Sequence, residues 1–231
     1  MNIRRLSCRF ALLLLPVSSA FAQFSLVETG GTFRTDATNL AAASQGATAI
    51  GFDELGTPNH HYIANVNDGL YGNYASWIGL NDSISSTASW VGVRFASPVS
   101  IGAFAFGRDN LGAFADRATV APYRIEFTTD ATVYTDPAAA VWELVGVIDH
   151  TAAGTPQPHL RHLYNLTTAE PLTNVLAFRL LTSSGMTYGN AIDELEVYGS
   201  ATPIPEPAAV ATLLGLAALA LGALRRRMQR H

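Results

Sequence analysis

Two pairs of adjacent acidic residues, Asp53–Glu54 and Asp193–Glu194, are the first candidates for acid–base chemistry in this chain. Hydrolysis of a glycosidic bond uses two carboxyl groups that flank one substrate. Each pair lies in a segment with the pattern of a β-strand, in which successive side chains point to opposite faces of the sheet. The two carboxyl groups of each pair are therefore expected to face apart, which disfavours a shared catalytic role.

The histidines offer a second kind of chemistry, because imidazole is a common zinc ligand. His60 and His61 are adjacent, and His150 follows Asp149 at a short distance from His159 and His162. Neither group has the helical spacing or the cysteine partners of familiar zinc sites, and we expect solvated loop histidines. The chain also lacks a Gly-x-Ser-x-Gly turn and a glycine-rich phosphate loop. These observations indicate a protein that is not an enzyme, with a hydrolase of unrecognised site as the weaker alternative.

A third group of chemically useful residues is the oxygen-rich stretch that contains Asn67, Asp68, Asn73 and Ser76. Calcium takes roughly six to eight oxygen ligands, many of them from carboxylates, amides and backbone carbonyls. This stretch therefore has a suitable composition for a calcium site. A plain turn in which Asp68 precedes Gly69 explains the same residues, so both interpretations stay open.

The elements that would position these residues have the pattern of short β-strands. Segments rich in β-branched and aromatic residues alternate with clusters of Gly, Pro, Asp, Asn and Ser, and only 38–43 has room for a turn or two of helix. The strands are predicted at 89–95, 99–106, 123–128, 141–148, 160–166, 175–181 and 191–198, with another at 47–55 and an edge strand at 24–29. The prediction is an all-β fold, an antiparallel β-sandwich or jelly roll, because two half-apolar sheets must cover each other.

The segment 123–127 shows the expected alternation most clearly. Tyr123, Ile125 and Phe127 are predicted to point into the core, and Arg124 and Glu126 to point outward. The three tryptophans of the chain, at positions 77, 90 and 142, lie in or next to apolar strand patterns. We expect them in or near the core, where burial of a large aromatic ring stabilises a domain by a few kcal/mol.

The first 22 residues have the pattern of a secretory signal peptide. Three arginines among the first nine residues precede an apolar stretch at 10–17, and small residues lead to a predicted cleavage site after Ala22. Cys8 is the one cysteine of the chain and leaves with this peptide. The mature chain then has no cysteine, which excludes a disulfide framework, a cysteine-based zinc site and a thiol nucleophile.

The other terminus combines prolines, an apolar run and arginines. Pro205, Glu206 and Pro207 precede the 17 apolar residues 208–224, and four of the last seven residues are arginine. A helix of that length spans roughly 25 Å, which is at the short end for a transmembrane helix. The arginines would stay on the cytoplasmic side, so the rest of the chain lies across the membrane.

This order of Pro-Glu-Pro, apolar helix and basic end resembles the PEP-CTERM sorting signal of Gram-negative bacteria that make exopolysaccharide. The resemblance assigns residues 203–231 to the signal and implies cleavage near Pro205, Glu206 and Pro207 by an exosortase, an integral-membrane protease. The precursor would be anchored transiently in the inner membrane, and the product would reach the cell surface or extracellular matrix. An ordinary tail anchor with a proline-rich linker is the alternative.

Residues 23–202 remain between the two terminal signals, which is the size of one domain. They contain seven arginines, no lysine and 17 acidic residues, and therefore carry a net charge of −10 with neutral histidines. This balance argues against binding of nucleic acid or anionic lipid through bulk charge. It is compatible with divalent cations and with neutral glycans.

A second resemblance covers about residues 47–199. Seven short segments occur in the order of a discoidin domain, at 64–69, 76–77, 90–95, 101–104, 123–127, 142–145 and 192–199. Discoidin domains resemble galactose-binding-like jelly rolls, a group that includes many carbohydrate-binding modules. The resemblance therefore implies a galactose-binding-like β-sandwich for residues 23–202.

The discoidin resemblance also implies two sites. Many members of the superfamily hold a structural Ca²⁺, and the matching residues are Asp68 in the loop and Glu194 on the last strand, with Asn73 as a further loop oxygen. Glycan ligands of such modules bind at loops at one end of the sandwich, by ring stacking and hydrogen bonds to hydroxyls. The candidate ligand contacts on the loops are Tyr62, Arg108, Asn110, Phe114 and Arg117.

Taken together, the sequence predicts a secreted, non-catalytic protein of the cell surface or extracellular matrix, sorted by an exosortase. Its partner is expected to be exopolysaccharide or another glycan, and no nucleic acid. The alternative is a structural or adhesive biofilm-matrix protein whose sandwich binds other proteins.

Overall fold

The computed structural model describes residues 24–31, 33–58, 60–72, 74–79, 89–108, 110, 122–149, 159–167, 171–182 and 190–201. Ten strands lie within these residues, and every pairing between them is antiparallel. They are β1 (Phe24–Thr29), β2 (Thr48–Phe52), β3 (Trp77–Ile78), β4 (Trp90–Gly107), β5 (Tyr123–Thr128), β6 (Glu143–Ile148), β7 (His162–Leu166), β8 (Leu172–Thr182), β9 (Ala191–Ile192) and β10 (Glu194–Ala201). The fold is all-β and sandwich-like, as the sequence predicts.

The long strand β4 takes part in both layers. Residues 90–94 pair with β2 and β8, and β8 continues to β5 and β6. Residues 99–107 pair with β10 and β7, and β7 continues to β1. We call the sheet β2-β4-β8-β5-β6 the front layer and the sheet β10-β4-β7-β1 the back layer.

The separate strands predicted at 89–95 and 99–106 are wrong, because β4 runs without a break for 18 residues. Pro98 lies where the register between β4 and β8 shifts, between Arg94 and Val99. A proline cannot donate a ladder hydrogen bond, and such a shift is a place where the loss is tolerated. The proline was therefore a sign of irregular pairing and not of a strand end.

The single strand predicted at 191–198 is also wrong, because the structure has two strands there, β9 and β10, with Asp193 between them. The backbone N–H of Asp193 donates to the carbonyl of Gly107, while its side chain accepts from Gly72. The helical turn predicted at 38–43 lies later, as a 3₁₀ turn at Ala43–Gln45. Two other 3₁₀ helices, Ile63–Asn67 and Ala131–Tyr134, have no counterpart in the predictions.

The main core lies between the two layers. Phe104 is fully buried, and its ring centroid lies 5.5 Å from that of Phe24, 5.2 Å from that of Tyr164 and 5.3 Å from that of Phe178. Trp77 is fully buried as well and donates its indole N–H to the carbonyl of Asp53. The core position predicted for Trp77 is therefore confirmed.

A second apolar cluster covers the outer side of the front layer. Trp90 and the half-buried Trp142 belong to it, and the guanidinium of Arg179 lies 5.0 Å from the ring of Trp90 and 4.0 Å from that of Trp142. Arg179 also donates twice to Glu126, at 2.9 and 2.6 Å. Glu126 faces away from the main core, as predicted, but this cluster buries it.

The structure describes no helix that has both the length and the apolar character to span a membrane. The signal peptide 1–22, with Ala22, and the sorting signal 203–231, with the helix at 208–224, lie outside the described residues. Those predictions are therefore not addressed by the fold.

Candidate functional site

The loop that contains Asp68 is fastened to the start of β10 by two carboxyl groups. The N–H of Gly72 donates to Asp193 Oδ2 at 2.6 Å, and the N–H of Gly69 donates to Glu194 Oε2 at 3.1 Å. Both acidic residues are fully buried. The expectation that Asp193 and Glu194 face apart is wrong, because Asp193 occupies the break between β9 and β10, where strand alternation does not apply.

Glu194 has an unsatisfied oxygen in this site. Its Oε1 is buried without a hydrogen-bond partner among the described residues. Burial, and then the charges of Asp68, Glu196 and Asp193, raise the pKa of Glu194 to about 9. Burial also raises the pKa of Asp68. A buried carboxylate requires a positive charge or a proton nearby.

The structure brings together two of the three residues predicted to bind a metal. Asp68 and Glu194 meet at Gly69, whereas Asn73 lies outside the described residues. Within the part of the chain that the structure describes, no three His, Cys, Asp or Glu side chains form a metal-binding group. Asn67 serves packing instead, since its amide donates to the carbonyls of Ala41 and Ala47.

Arg108 lies behind this loop and not on the surface. It is 3% exposed and donates to Asp193 Oδ1 at 2.8 Å. Asn110 donates to the carbonyl of Gly31 and accepts from the N–H of Arg161 at 3.4 Å. Both residues thus have contacts that shape the fold, and both were predicted as ligand contacts. The other loop candidates, Phe114 and Arg117, lie outside the described residues.

An exposed aromatic group lies on the loop between β2 and β3. Tyr74 is 62% exposed, and its ring stacks on His61 at 6.3 Å and meets the edge of His60 at 5.8 Å. Tyr62, a predicted ligand contact, lies 6.3 Å from His60 and shares a hydrogen bond of 2.8 Å with Thr57. We call His60, His61, Tyr62 and Tyr74 the Tyr74 cluster.

The side chain of Asn65 links the backbone segments that carry the Tyr74 cluster. The amide of Asn65 donates to the carbonyls of His60, Tyr74 and Ser76, at 2.8, 3.3 and 2.9 Å. Tyr74 has a φ of 67°, in the left-handed region that tyrosine rarely adopts. An exposed ring in a strained but tethered conformation is typical of a functional position. Tyr74 is not among the residues predicted from the sequence, although an aromatic residue between Gly72 and Ser76 was a usable signal.

The expectation of solvated histidines is only partly correct. His60 is exposed, but His61 and His162 are buried. His61 Nδ1 forms a hydrogen bond of 2.7 Å with the hydroxyl of Ser76. The Ser76 hydroxyl therefore bonds to His61 and, among the described residues, not to the loop that contains Asp68. Of the other two histidines in the second group, His159 is half-buried, and His150 lies outside the described residues.

The other acidic pair, Asp53–Glu54, also differs from its prediction. Strand β2 ends at Phe52, so the pair follows the strand, and Asp53 has a φ of 75°. Asp53 accepts from Ser89 at 3.3 Å, and Glu54 accepts from the N–H of Ile63 at 2.6 Å. These contacts give both carboxylates a role in fixing the loop that carries the Tyr74 cluster.

A second buried ion pair lies beneath the outer side of the back layer. Arg161 is fully buried and donates to both oxygens of Glu196, each at 2.7 Å. Tyr71 donates to Glu196 at 3.0 Å, and Tyr198 donates to its other oxygen. Burial, and then the Glu196 charge, raise the pKa of Tyr71 well above its ordinary value. No local sequence pattern predicts this group of side chains, because its members lie on separate elements.

No family model matches the chain, and no curated protein matches it. Solved structures do match it. CpGH89CBM32-5 from Clostridium perfringens, in complex with GalNAc-β-1,3-galactose, has 10% identity and a TM-score of 0.52, covering 70% of this chain and 100% of its own. Chitosan-binding module 1 of the chitosanase/glucanase from Paenibacillus sp. IK-5 has 18% identity and a TM-score of 0.50, covering 70% and 99%.

A third structure is the family 32 carbohydrate-binding module of NanJ from C. perfringens in complex with galactose, with 16% identity, a TM-score of 0.48 and coverage of 70% and 98%. Because the sequence identities are this low, the similarity concerns the fold alone. The two structures with TM-scores of 0.50 and 0.52 support it. The described part of this chain has an antiparallel, sandwich-like fold that is similar to the folds of these two modules.

Proposed function

We propose that this protein is a non-catalytic, carbohydrate-binding protein of the cell surface or extracellular matrix. The observation that carries the proposal is the exposed, tethered ring of Tyr74 on a loop of a carbohydrate-binding-module fold. An aromatic ring offers a flat apolar surface to the face of a sugar, and neighbouring imidazole and hydroxyl groups bond its hydroxyls. His60 and Tyr62 supply those polar groups beside Tyr74.

The class of glycan follows from charge and from the similar structures. The −10 charge of residues 23–202 repels polyanionic glycans, so the ligand is a neutral or amino sugar. One similar protein was solved with GalNAc-β-1,3-galactose, and another is named a chitosan-binding module. Both descriptions support this class.

A structural Ca²⁺ is the second part of the proposal. The donor set fits the ion, because Glu194 keeps a buried carboxylate oxygen next to the Asp68–Gly69 turn that no described residue bonds. Asp68 and Glu194 would supply carboxylate oxygens, and Asn73 a further oxygen from the same loop. The cation would neutralise buried charge and tie the loop to β10, with no role in bond cleavage.

The third part concerns location. Residues 1–22 act as the signal peptide, and an exosortase cleaves near Pro205, Glu206 and Pro207 after the helix 208–224 has held the precursor in the inner membrane. The support is the order of these signals at the two ends of the chain. The product then reaches the surface or matrix, where exopolysaccharide is the natural glycan partner.

Binding to an array of galactose-, N-acetylgalactosamine- and glucosamine-containing oligosaccharides tests the proposal on the purified full-length chain. We expect Tyr74→Ala to weaken binding roughly tenfold, which corresponds to about 1.4 kcal/mol. The matched control is Leu70→Ala, which removes another exposed apolar side chain from the same loop and should leave binding unchanged. If wild-type protein retains no glycan, the matrix-protein alternative takes its place.

A further inference from the structure

Two adjoining hollows lie on the outer side of the back layer, away from the Tyr74 cluster. The first has a volume of about 510 Å³ and the second about 410 Å³, and Arg34 and Asn165 line both. Small-molecule sites are commonly about 300–1,000 Å³. The two hollows adjoin each other at these two shared residues, and we call them together the back-face groove.

The groove exists because small residues of β4 lie between larger neighbours. In register, Ala103 pairs with Tyr198 of β10 on one side and with Asn165 of β7 on the other, so the three share a row. Gly102 is the extra residue where the β4–β10 register shifts. Among the described residues, no atom lies within 4 Å of a Cβ built at Gly102, so this part of the groove is open space.

The floor of the groove is held rigidly. Tyr198 donates to Glu196, which the buried Arg161 binds through two hydrogen bonds. The guanidinium of Arg34 lies 5.2 Å from the ring centre of Tyr198, and the backbone N–H of Arg34 donates to the hydroxyl of Tyr198 at 3.2 Å. A site whose walls are already fixed loses little conformational entropy when it binds a ligand.

The charged side chains that line the groove are Glu28, Arg34 and Asp36, two carboxylates and one guanidinium with a net charge of −1. Arg34 and Asp36 form an ion pair at 2.7 Å, and Glu28 Oε2 lies 3.6 Å from Arg161 Nη1. The hydrogen bond from Arg34 lowers the pKa of Asp36, so this pair stays ionised. The exposed amide of Asn165 has both donors and an acceptor. These groups suit hydroxyl groups, whereas a polyanion finds no uncompensated cation.

We infer that the back-face groove is a second carbohydrate-binding site, which takes a short uncharged stretch of a polysaccharide. The inference rests on the proposed function and extends it, because the groove and the Tyr74 cluster are separate surfaces on one domain. Asn165, Asp36 and Glu28 bond sugar hydroxyls, and the open floor at Gly102 accepts the chain. Two sites on one rigid body can engage one polymer, which raises the apparent affinity without new contacts.

Gly102 allows a steric test of the groove. Gly102→Phe fills the second hollow with a ring at a position where a Cβ meets open space, and Gly102→Ala is the matched control. Asn165→Ala removes the amide shared by both hollows without adding bulk. Each change is made in the full-length chain, alone and with Tyr74→Ala, and melting curves establish that the variants fold.

The probes are hexasaccharides of β-1,3-glucan, β-1,4-glucan, β-1,4-galactan and β-1,4-glucosamine, with tetra-galacturonate as the anionic comparison. Calorimetry measures the number of bound oligosaccharides and their dissociation constants. We expect two binding sites in the wild type, one in Tyr74→Ala, one in Gly102→Phe and none in the double variant. Asn165→Ala should weaken the groove site at least about fivefold, and Gly102→Ala should change nothing.

The outcomes separate the two proposals. Complete loss of binding in Tyr74→Ala alone overturns the groove and keeps the loop site. Unchanged binding in Tyr74→Ala with loss in Gly102→Phe supports the groove and overturns the loop site. A folded Gly102→Phe and an Asn165→Ala that both bind like the wild type overturn the groove, as does tighter binding of tetra-galacturonate than of every hexasaccharide.

Discussion

Glu194 shows how a single side chain can link the fold to an ion. It is fully buried, one of its oxygens accepts from Gly69, and the other has no hydrogen-bond partner within the described part of the chain. Burial of an unpaired carboxylate costs several kcal/mol of folding free energy. Burial therefore raises the pKa of the group, which favours protonation, and a cation next to the group removes the same penalty. The neighbouring Asp68 adds a second negative charge, which favours the cation.

We therefore predict that calcium stabilises the protein through Glu194. At a free concentration of 100 times Kd, a ligand that binds only the folded state adds about 2.7 kcal/mol, or roughly 5 °C or more in Tm for a domain of this size. Glu194→Gln should abolish the calcium-dependent shift, and the exposed Glu143→Gln should preserve it. The measurement is the melting temperature with calcium and with a chelator, and identical curves for the wild type contradict the prediction.

The Arg179–Glu126 pair gives a second prediction at the residue scale. Both side chains are largely buried, with side-chain exposures of 12% and 6%. Removal of Arg179 leaves the buried Glu126 with only the half-exposed Arg124 as an ion-pair partner, so Arg179→Met should lower the free energy of unfolding by about 3 kcal/mol. Replacing both, with Glu126→Leu added, should restore most of this loss because Trp90 and Trp142 can pack on apolar groups.

Urea denaturation of the single and double variants measures these changes. Arg124→Met is the control, since Arg124 is half exposed in its own pair with Glu126 and should cost about 1 kcal/mol or less. A double variant that is less stable than Arg179→Met alone would show that the charges themselves stabilise the fold.

At the scale of elements, the sequence located the strands well and their ends poorly. The edge strand at 24–29 and the strand at 123–128 agree with β1 and β5 in full, and alternation marks the second of them. The errors at Pro98 and Asp193 have one cause. Pairing with strands far along the chain decides whether a local breaker ends a strand, and local patterns carry no information about that pairing.

The segment that covers the second apolar cluster depends on Asp130. Its carboxylate accepts from Val141 at 3.0 Å and from Thr132 at 2.9 Å, and so joins both ends of the segment that buries Val133. Both hydrogen bonds lower the pKa of Asp130 below its ordinary value, and the one from Val141 has the larger effect. A carboxyl group with a lowered pKa stabilises the fold above its ordinary pKa, and the effect is lost as the pH falls through the lowered value.

The prediction is a pH-dependent difference between the wild type and Asp130→Asn. The wild type should melt at a higher temperature at about pH 6, and the difference should shrink steadily below about pH 4 as Asp130 is protonated. Melting curves of both proteins across this range provide the measurement. A difference that grows toward acid would mean that Asp130 acts mainly by repulsion.

At the scale of the whole molecule, the sequence predicted the fold class and one contact of the candidate site, between the loop of Asp68 and Glu194. Asp68 and Glu194 were found because the discoidin resemblance links them across the chain, and the fold does bring them together. Tyr74 and the Arg161–Glu196 pair were missed, because exposure and burial arise only once distant segments pack. The two hollows of the back-face groove likewise depend on the register of three strands.

The last prediction concerns processing of the whole chain. Proline fixes φ and pushes the preceding residue to extended geometry, so we expect Pro205, Glu206 and Pro207 to offer a protease an extended segment next to the apolar run 208–224. In a host that has an exosortase, we expect the exported protein to begin at Gln23 and to end near these three residues. Intact-mass spectrometry of the surface fraction measures both ends.

Replacing Pro205, Glu206 and Pro207 with alanine, glutamine and alanine should block cleavage at the C-terminal end only. The chain would then keep 208–224 and stay with the inner membrane, while the signal peptide is still removed after Ala22. The matched control is the unaltered chain in the same host without its exosortase, which should behave in the same way. An unaltered chain that retains residues 208–224 and stays with the inner membrane in the presence of the exosortase would instead establish an ordinary tail anchor.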